Sequence, residues 1–332
     1  MMKRTKIALC AASVLLAFTA CGTRKNADSA IDKQDIAIEV PAFNADSAYQ
    51  YINDQVNFGP RVPNSEGHRA CAQYLCDQLK RFGATVVEQD MELMAYDGTL
   101  LKSKNIIGSY KPETKKRIAL FAHWDTRPWA DNDPDKGNHH SPILGANDGA
   151  SGVGVLLEIA RQLQLSQPEL GIDIILFDAE DYGTHSAYEG EHTEESWCLG
   201  SQYWSRNPHV QNYNARFGIL LDMVGGKNAL FFREYYSEYY AKDIVNKVWK
   251  AAKKLKHDNY FINQSMGGAT DDHLFVNRIS GIKTIDIVPT DPQGNYSFDP
   301  TWHTMNDDMP NIDRKVLKAV GQTVLEVIYH EK

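Results

Sequence analysis

Three apolar runs, at residues 117–122, 172–177 and 217–221, constrain this chain more than any other feature. A strand with one wet face alternates apolar and polar residues, whereas nearly continuous runs belong to strands covered on both faces. A fourth strand fits residues 282–288. Helices predicted over residues 150–164, 239–255 and 312–330 supply the covers. The alternation implies an α/β fold of three layers, a mostly parallel mixed central sheet flanked by helices. Ahead of it the pattern predicts a helix over residues 48–57 and a second from the N-cap Ser65 to Arg81, before Gly83. Extended segments at 84–96 and 100–110 flank the turn signal Asp97-Gly98. No repeat and no second domain is visible, so residues 43–332 read as one domain.

The ends of these runs carry the chemistry. The first closes at His123-Trp124-Asp125, the second at Asp178-Ala179-Glu180-Asp181, the third at Asp222, and the fourth at Asp286 before Pro289. Ligands and reacting groups gather at the carboxyl ends of strands in open α/β sheets. Asp148 reaches the same edge from the loop before a predicted helix, and His303 from a late loop. Histidine with aspartate and glutamate, without thiolates, is the donor set of a catalytic zinc that keeps an open position. One such residue is ordinarily a cap or a surface charge; the repetition at buried strand ends favours a coordinated site.

The first six residues hold Lys3, Arg4 and Lys6, and an apolar run of about 14 residues follows, within the signal-peptide range and too short to span a bilayer. Residues 1–20 therefore read as a signal segment. The run ends Leu16-Ala17-Phe18-Thr19-Ala20-Cys21, which resembles a bacterial lipoprotein signal with Phe18 in place of the usual leucine. That resemblance implies a lipid on Cys21, residues 21–42 as a flexible tether, and an exported lipoprotein on the periplasmic side of the inner or outer membrane. The alternative is an ordinary secretory signal. Lys and Arg total 35 against 43 Asp and Glu, and the signal takes three bases and no acid with it. So acidic a chain has no attraction for phosphate backbones, and no nucleic-acid partner is expected. Cys71 and Cys76 sit five apart on a predicted helix and face apart; with Cys198 they read as buried structural thiols.

As a set and in order, Ala122-His123-Trp124-Asp125-Thr126, Gly145-Ala146-Asn147-Asp148-Gly149, Phe177-Asp178-Ala179-Glu180-Asp181, Leu220-Leu221-Asp222-Met223, Thr270-Asp271-Asp272-His273 and Trp302-His303-Thr304 resemble the zinc aminopeptidases of the bacterial leucyl aminopeptidase type, peptidase family M28, and within them the glutaminyl cyclases. The resemblance spans residues 45–332. It implies that Asp148, Asp181 and His303 hold one zinc ion, that Glu180 is the general base and acid, and that Asp222 and Asp271 complete a catalytic acidic network. His123 and Asp125 are then supporting groups, and Trp302 a pocket wall unless it is core. The implied reaction closes an N-terminal glutamine of a peptide or protein to pyroglutamate with release of ammonia. A two-zinc aminopeptidase, with His123 and Asp222 on a second metal bridged by Asp148, is the alternative, and a non-enzymatic binding lipoprotein the third reading.

Two positions depart from the animal cyclases. Asp181 stands where they have glutamate, and no tryptophan closely follows it, so Trp197 or Trp129 is expected to fill that place. In Asp271-Asp272 one residue reads as a helix cap and the other as solvated. The segment with Asp131, Asp133, Asp135 and His139-His140 reads as a solvated acidic turn, with an accessory metal site as the alternative.

Overall fold

The computed structural model describes residues 39–291 and 298–332. The signal segment, Cys21 and the tether up to residue 38 lie outside them. Pro41 and Ala42 already accept hydrogen bonds from the Gln322 and Gln162 side chains, so packed chain begins slightly ahead of residue 43.

Helix α1 (Ala45–Val56) starts on Asn44, whose side chain accepts the Asp46 and Ser47 amides. Helix α2 (Glu66–Arg81) starts on Ser65, which accepts the His68 amide as the sequence predicts. Strands β1 (Thr85–Met94) and β2 (Leu100–Tyr110) pair antiparallel across the Asp97-Gly98 turn. Then come β3 (Arg117–His123), α3 (Ala150–Leu165), β4 (Gly171–Phe177), α4 (Leu199–Arg206) and β5 (Gly218–Leu221). A small parallel pair, β6 (Phe231–Arg233) and β7 (Phe261–Ser265), brackets α5 (Tyr235–Lys254). The chain closes with α6 (Asp272–Phe275), β8 (Thr284–Ile287) and α7 (Arg314–His330).

The main sheet runs β1-β2-β4-β3-β5-β8; β4, β3, β5 and β8 are mutually parallel, and the β1–β2 hairpin joins antiparallel at one edge. Alternate residues of each run enter different cores. Ile118, Leu120, Ile172 and Ile174 pack with α1, α3 and α7, whereas Phe121, Ile175 and Phe177 pack with Trp204 of α4. That two-sided burial explains the unbroken apolar runs. Among the described residues no helix is long and apolar enough to cross a membrane.

Four features escape the sequence pattern, the first being α4, which no predicted helix covers. Strands β6 and β7 are short, and β7 carries Asn263, Gln264 and Ser265, so no periodicity marks them. Helix α5 starts at Tyr235 rather than 239 because Glu234 caps it, accepting the Tyr236 and Ser237 amides. Glutamate is not among the favoured N-caps.

Helix α3 lies against the ends of β3 and β5 through Gly152, where an added Cβ would stand 2.1 Å from the Leu221 carbonyl oxygen and 3.0 Å from the Ala122 Cβ. Helix propensity favours alanine over glycine by about 1 kcal/mol. Overpacking against backbone costs about 1–3 kcal/mol and wins here, because a carbonyl cannot step aside as a side-chain tip does. Gly152→Ala should therefore lower the urea midpoint at an unchanged m-value; an unchanged or higher midpoint would sink this account of the α3 contact.

Candidate active and metal site

The spatial order β4-β3-β5-β8 lines up the groups that close each strand. Glu180 and Asp181 follow β4, His123 ends β3, Asp222 follows β5, and Asp286 lies in β8. Asp148 enters from the turn before α3, and His303 from the loop between β8 and α7. At this edge lies a cavity of about 510 Å³ lined by Asp148, Glu180, Asp181, Asp222, Glu234, Asp271 and His303 on its polar side and by Trp197, Phe298 and Trp302 on its aromatic side. Of the strand-end and site residues read from the sequence, His123, Asp125, Asp178 and Asp286 are not part of this lining.

Asp148, Asp181 and His303 are buried, and each offers a ligand atom within 4.8 Å of the others. His303 Nε2 is 3.0 Å from Asp181 Oδ1 and 3.5 Å from Asp148 Oδ2. Burial first, and then the Arg127 guanidinium, push His303 down to about 3, which leaves the imidazole neutral. Burial first, and then Asp181, raise Asp148, while burial against the pull of Arg127 holds Asp181 well above the usual carboxylate range. Among the described residues, Asp148 Oδ2 and Asp181 Oδ2 have no hydrogen-bond partner. Two buried unpaired carboxylate oxygens facing a neutral imidazole make a costly arrangement that a cation relieves. The donor set fits a metal ion.

His123, Asp148 and Asp222 form a second such group, with His123 Nε2 3.0 Å from Asp148 Oδ1 and 3.1 Å from Asp222 Oδ1. Asp148 thus belongs to both. Asp125 works from behind, accepting the Glu180 and Asp181 amides at 3.1 Å each. Burial, and then the carboxylates of Asp181 and Asp271 against the opposing His123, hold Glu180 well above the usual range.

Four non-glycine residues beside the cavity hold positive φ: Ala179 (+52°), Cys198 (+57°), Met223 (+49°) and His303 (+56°). Such backbone costs about 1–3 kcal/mol each and persists only where its surroundings over-determine it. Those surroundings are partly visible. The Asp307 carboxylate accepts the Asn147 and Asp148 amides at 2.7 and 3.0 Å, and Asp133 accepts the Met305 amide at 2.9 Å, pinning the His303 loop.

Several expectations need correction. Asp131 and Asp133 are buried, so the solvated turn holds only for the exposed Asp135 and His140. Arg127 is buried too, and its guanidinium needs a charge partner, which Asp131 gives at 2.7 Å while also lying 3.6 Å from His303 Nδ1. Neither His139 nor His140 joins any metal-capable group among the described residues. Asp271 caps α6 as expected, but Asp272 is fully buried rather than solvated. Asp178 turns away from the cavity and meets His68 Nε2 at 2.9 Å. Cys198, read only as a buried thiol, donates its S–H to Glu180 Oε1 at 3.2 Å.

The aromatic wall settles geometrically. Trp197 lines the cavity and Trp129 does not. Trp197 lies so flat on Gly183 that a Cβ there would fall 1.9 Å from its ring, and Arg127 stacks on it at 4.6 Å. Trp302 stacks on His303 at 3.9 Å, and Trp197 lies parallel to that imidazole at 6.1 Å. The Arg127–Asp131 pair and Asp307 carry no signal in the sequence, because the carbonyls of Asp181, Gly183 and Thr184 that surround the Arg127 guanidinium and the Asn147 and Asp148 amides that Asp307 holds lie far off along the chain, while Glu234 caps α5 locally with a residue type that is not a usual cap.

The model of peptidase family M28 matches residues 105–328. The chain belongs to peptidase family M28. Within the M28 proteins it is similar to the solved glutaminyl cyclase of Bacteroides thetaiotaomicron bound to N-acetylhistamine, with 68% identity, a TM-score of 0.87, and cover of 89% of this chain and 100% of that one. The glutaminyl-peptide cyclotransferase of Bos taurus is 26% identical over 300 residues, 82% of this chain and 78% of its own. Aminopeptidase YwaD of Bacillus subtilis is 28% identical over 314 residues, 90% of this chain; the chain spans 61% of that relative's length.

Metal content tests the ligand set. After dialysis, His303→Ala should retain almost no metal by elemental analysis, while Glu180→Gln should match the unsubstituted protein. Equal content in both would mean that the ligands lie elsewhere.

Proposed function

We propose that this chain is a zinc-dependent glutaminyl-peptide cyclotransferase, acting on N-terminal glutamine of peptides or proteins. The observation that carries the reading is the cavity's division into an aromatic wall, Trp197 and Trp302, and an acidic floor, Glu180, Asp222 and Asp271. Cyclisation is intramolecular and gains from folding the glutamine side chain back on its own amine, which a narrow walled pocket does. Hydrolysis competes unless water is kept out, which the tryptophans favour. Similarity to solved and curated glutaminyl cyclases supports the same assignment.

One zinc ion, held by Asp148, Asp181 and His303, would supply Lewis-acid polarisation of the side-chain amide carbonyl. The rest falls to the chain. Asp222 and Asp271 are placed to accept N–H bonds from the substrate's amine and amide and so to hold them together. Glu180 takes one proton from the α-amine as its nitrogen bonds to the side-chain amide carbon. The same proton goes to the departing amide nitrogen as that C–N bond breaks, releasing ammonia. A carboxyl held above the usual range suits this exchange, since its basicity is closer to that of the groups it serves. Cys198 fixes one oxygen of Glu180 and Asp125 fixes its backbone.

The His123, Asp148 and Asp222 group favours a second reading, a two-metal aminopeptidase. The metal-loaded protein should release ammonia, a loss of 17 Da by mass spectrometry, from Gln-Ala-amide and leave Leu-Ala-amide intact. Cleavage of the leucyl peptide with two metals per chain would replace the cyclase reading. Glu180→Gln should lower kcat by about 10²–10⁴. We also read the chain as anchored through a lipid on Cys21; Cys21→Ser should move it from the membrane to the soluble fraction of cells, and a membrane-bound variant would end that reading.

A further inference from the structure

The first turns of α5 put four tyrosines, Tyr235, Tyr236, Tyr239 and Tyr240, into six residues. Tyr239 is 70% exposed and Tyr235 55%, high values for large rings. They form an ordered ladder. The Tyr235 and Tyr239 rings stack at 6.4 Å, and Tyr240 meets Tyr239 edge-on at 4.8 Å.

The ladder begins one residue beyond the cavity lining. Glu234, which caps α5, lines the cavity, as do Gly267 and Gly268. The Tyr235 amide donates to the Gly267 carbonyl at 3.3 Å, and the Tyr236 ring lies over Gly268, where a Cβ would stand 2.8 Å from it. Among the described residues nothing lies within 4 Å of where a Gly267 side chain would begin, so the backbone there leads onto the aromatic rings. Arg278 fixes the inner end, lying 5.7 Å from the Tyr236 ring and bonded to Glu194 at 2.6 Å.

We propose that this ladder binds the residues of a peptide substrate that follow its N-terminal glutamine, and that it prefers apolar or aromatic side chains there. The inference rests on the cyclase reading. A cavity of about 510 Å³ takes the terminal residue, and the remaining chain has to leave through the mouth. The glycine floor leaves room for an extended backbone. Tyrosine rings offer rigid contact area at low entropic cost, with hydroxyls left for peptide groups.

The test compares the metal-loaded protein with Tyr235→Ser/Tyr239→Ser and with Tyr239→Gln alone, both at exposed positions where folding is retained. Substrates are Gln-Ala-amide and Gln-Ala-Phe-Leu-Ala-amide. The ratio of pentapeptide to dipeptide KM should rise about five- to tenfold in the double variant, less in the single one. Dipeptide turnover with an unchanged ratio overturns the ladder and leaves the cyclase standing; no turnover of either peptide by the unsubstituted protein overturns the cyclase. Calorimetric binding of the pentapeptide to Glu180→Gln, with and without the tyrosine substitutions, decides for the ladder independently of turnover, equal affinity counting against it. A dimer in sedimentation that the double variant dissolves would instead assign the face to a second copy of the chain.

Discussion

Concentrated negative charge at one edge of a buried sheet governs this molecule. Asp148, Glu180, Asp181, Asp222, Asp271, Asp272 and Asp286 are all buried, and burial raises the carboxyl pKa of every one. A fold does not gather seven such groups for stability, since each costs several kcal/mol to desolvate unpaired. Protons, imidazoles and a cation are the available remedies. The site divides among them: His303 faces Asp148 and Asp181, His123 stands between Asp148 and Asp222, and His273 lies 3.7 Å from Asp286.

Loops rather than strands do the fine placement. The sheet brings His123, Asp222 and the Glu180-Asp181 pair to one edge, but the backbone strain at Ala179, Cys198, Met223 and His303 has to be held from outside. Buried polar groups do this: Asp125 clamps two amides of the Glu180 turn, Asp307 two of the Asp148 turn, and Arg127 the carbonyls of Asp181, Gly183 and Thr184. Arg127 joins this frame to the aromatic wall by lying over Trp197. The metal-capable groups, Glu180 and the aromatic wall are thus one mechanical unit.

How far the sequence discloses this follows from the range of the forces involved. Two-sided strand burial leaves a local trace, so β3, β4, β5 and β8 and their terminal acids are legible. Capping by Asn, Ser and Asp is local too, as at Ser65 and Asp271. The acidic segment at 131–135 misleads because aspartate-rich turns are usually wet; a buried arginine four residues upstream of Asp131 reverses that, and arginine burial has no local signature. Trp197 cannot be chosen over Trp129 from the chain alone, since the choice rests on the space Gly183 leaves 14 residues earlier. The role of Cys198 is hidden for a similar reason: its partner Glu180 belongs to another turn.

The choice between cyclisation and hydrolysis in such a frame turns on what stands between His123 and Asp222. A second cation there would be held by His123, Asp148 and Asp222 and would supply Lewis-acid activation of water, leaving fewer carboxylate oxygens for the substrate. With a proton on His123 instead, the same atoms are tied by hydrogen bonds and Asp222 keeps its second oxygen for the substrate's nitrogen. Nε2 of His123 already lies within hydrogen-bond distance of both carboxylates. The same residues could therefore serve either chemistry, and the occupant of the His123–Asp222 gap is what separates the two.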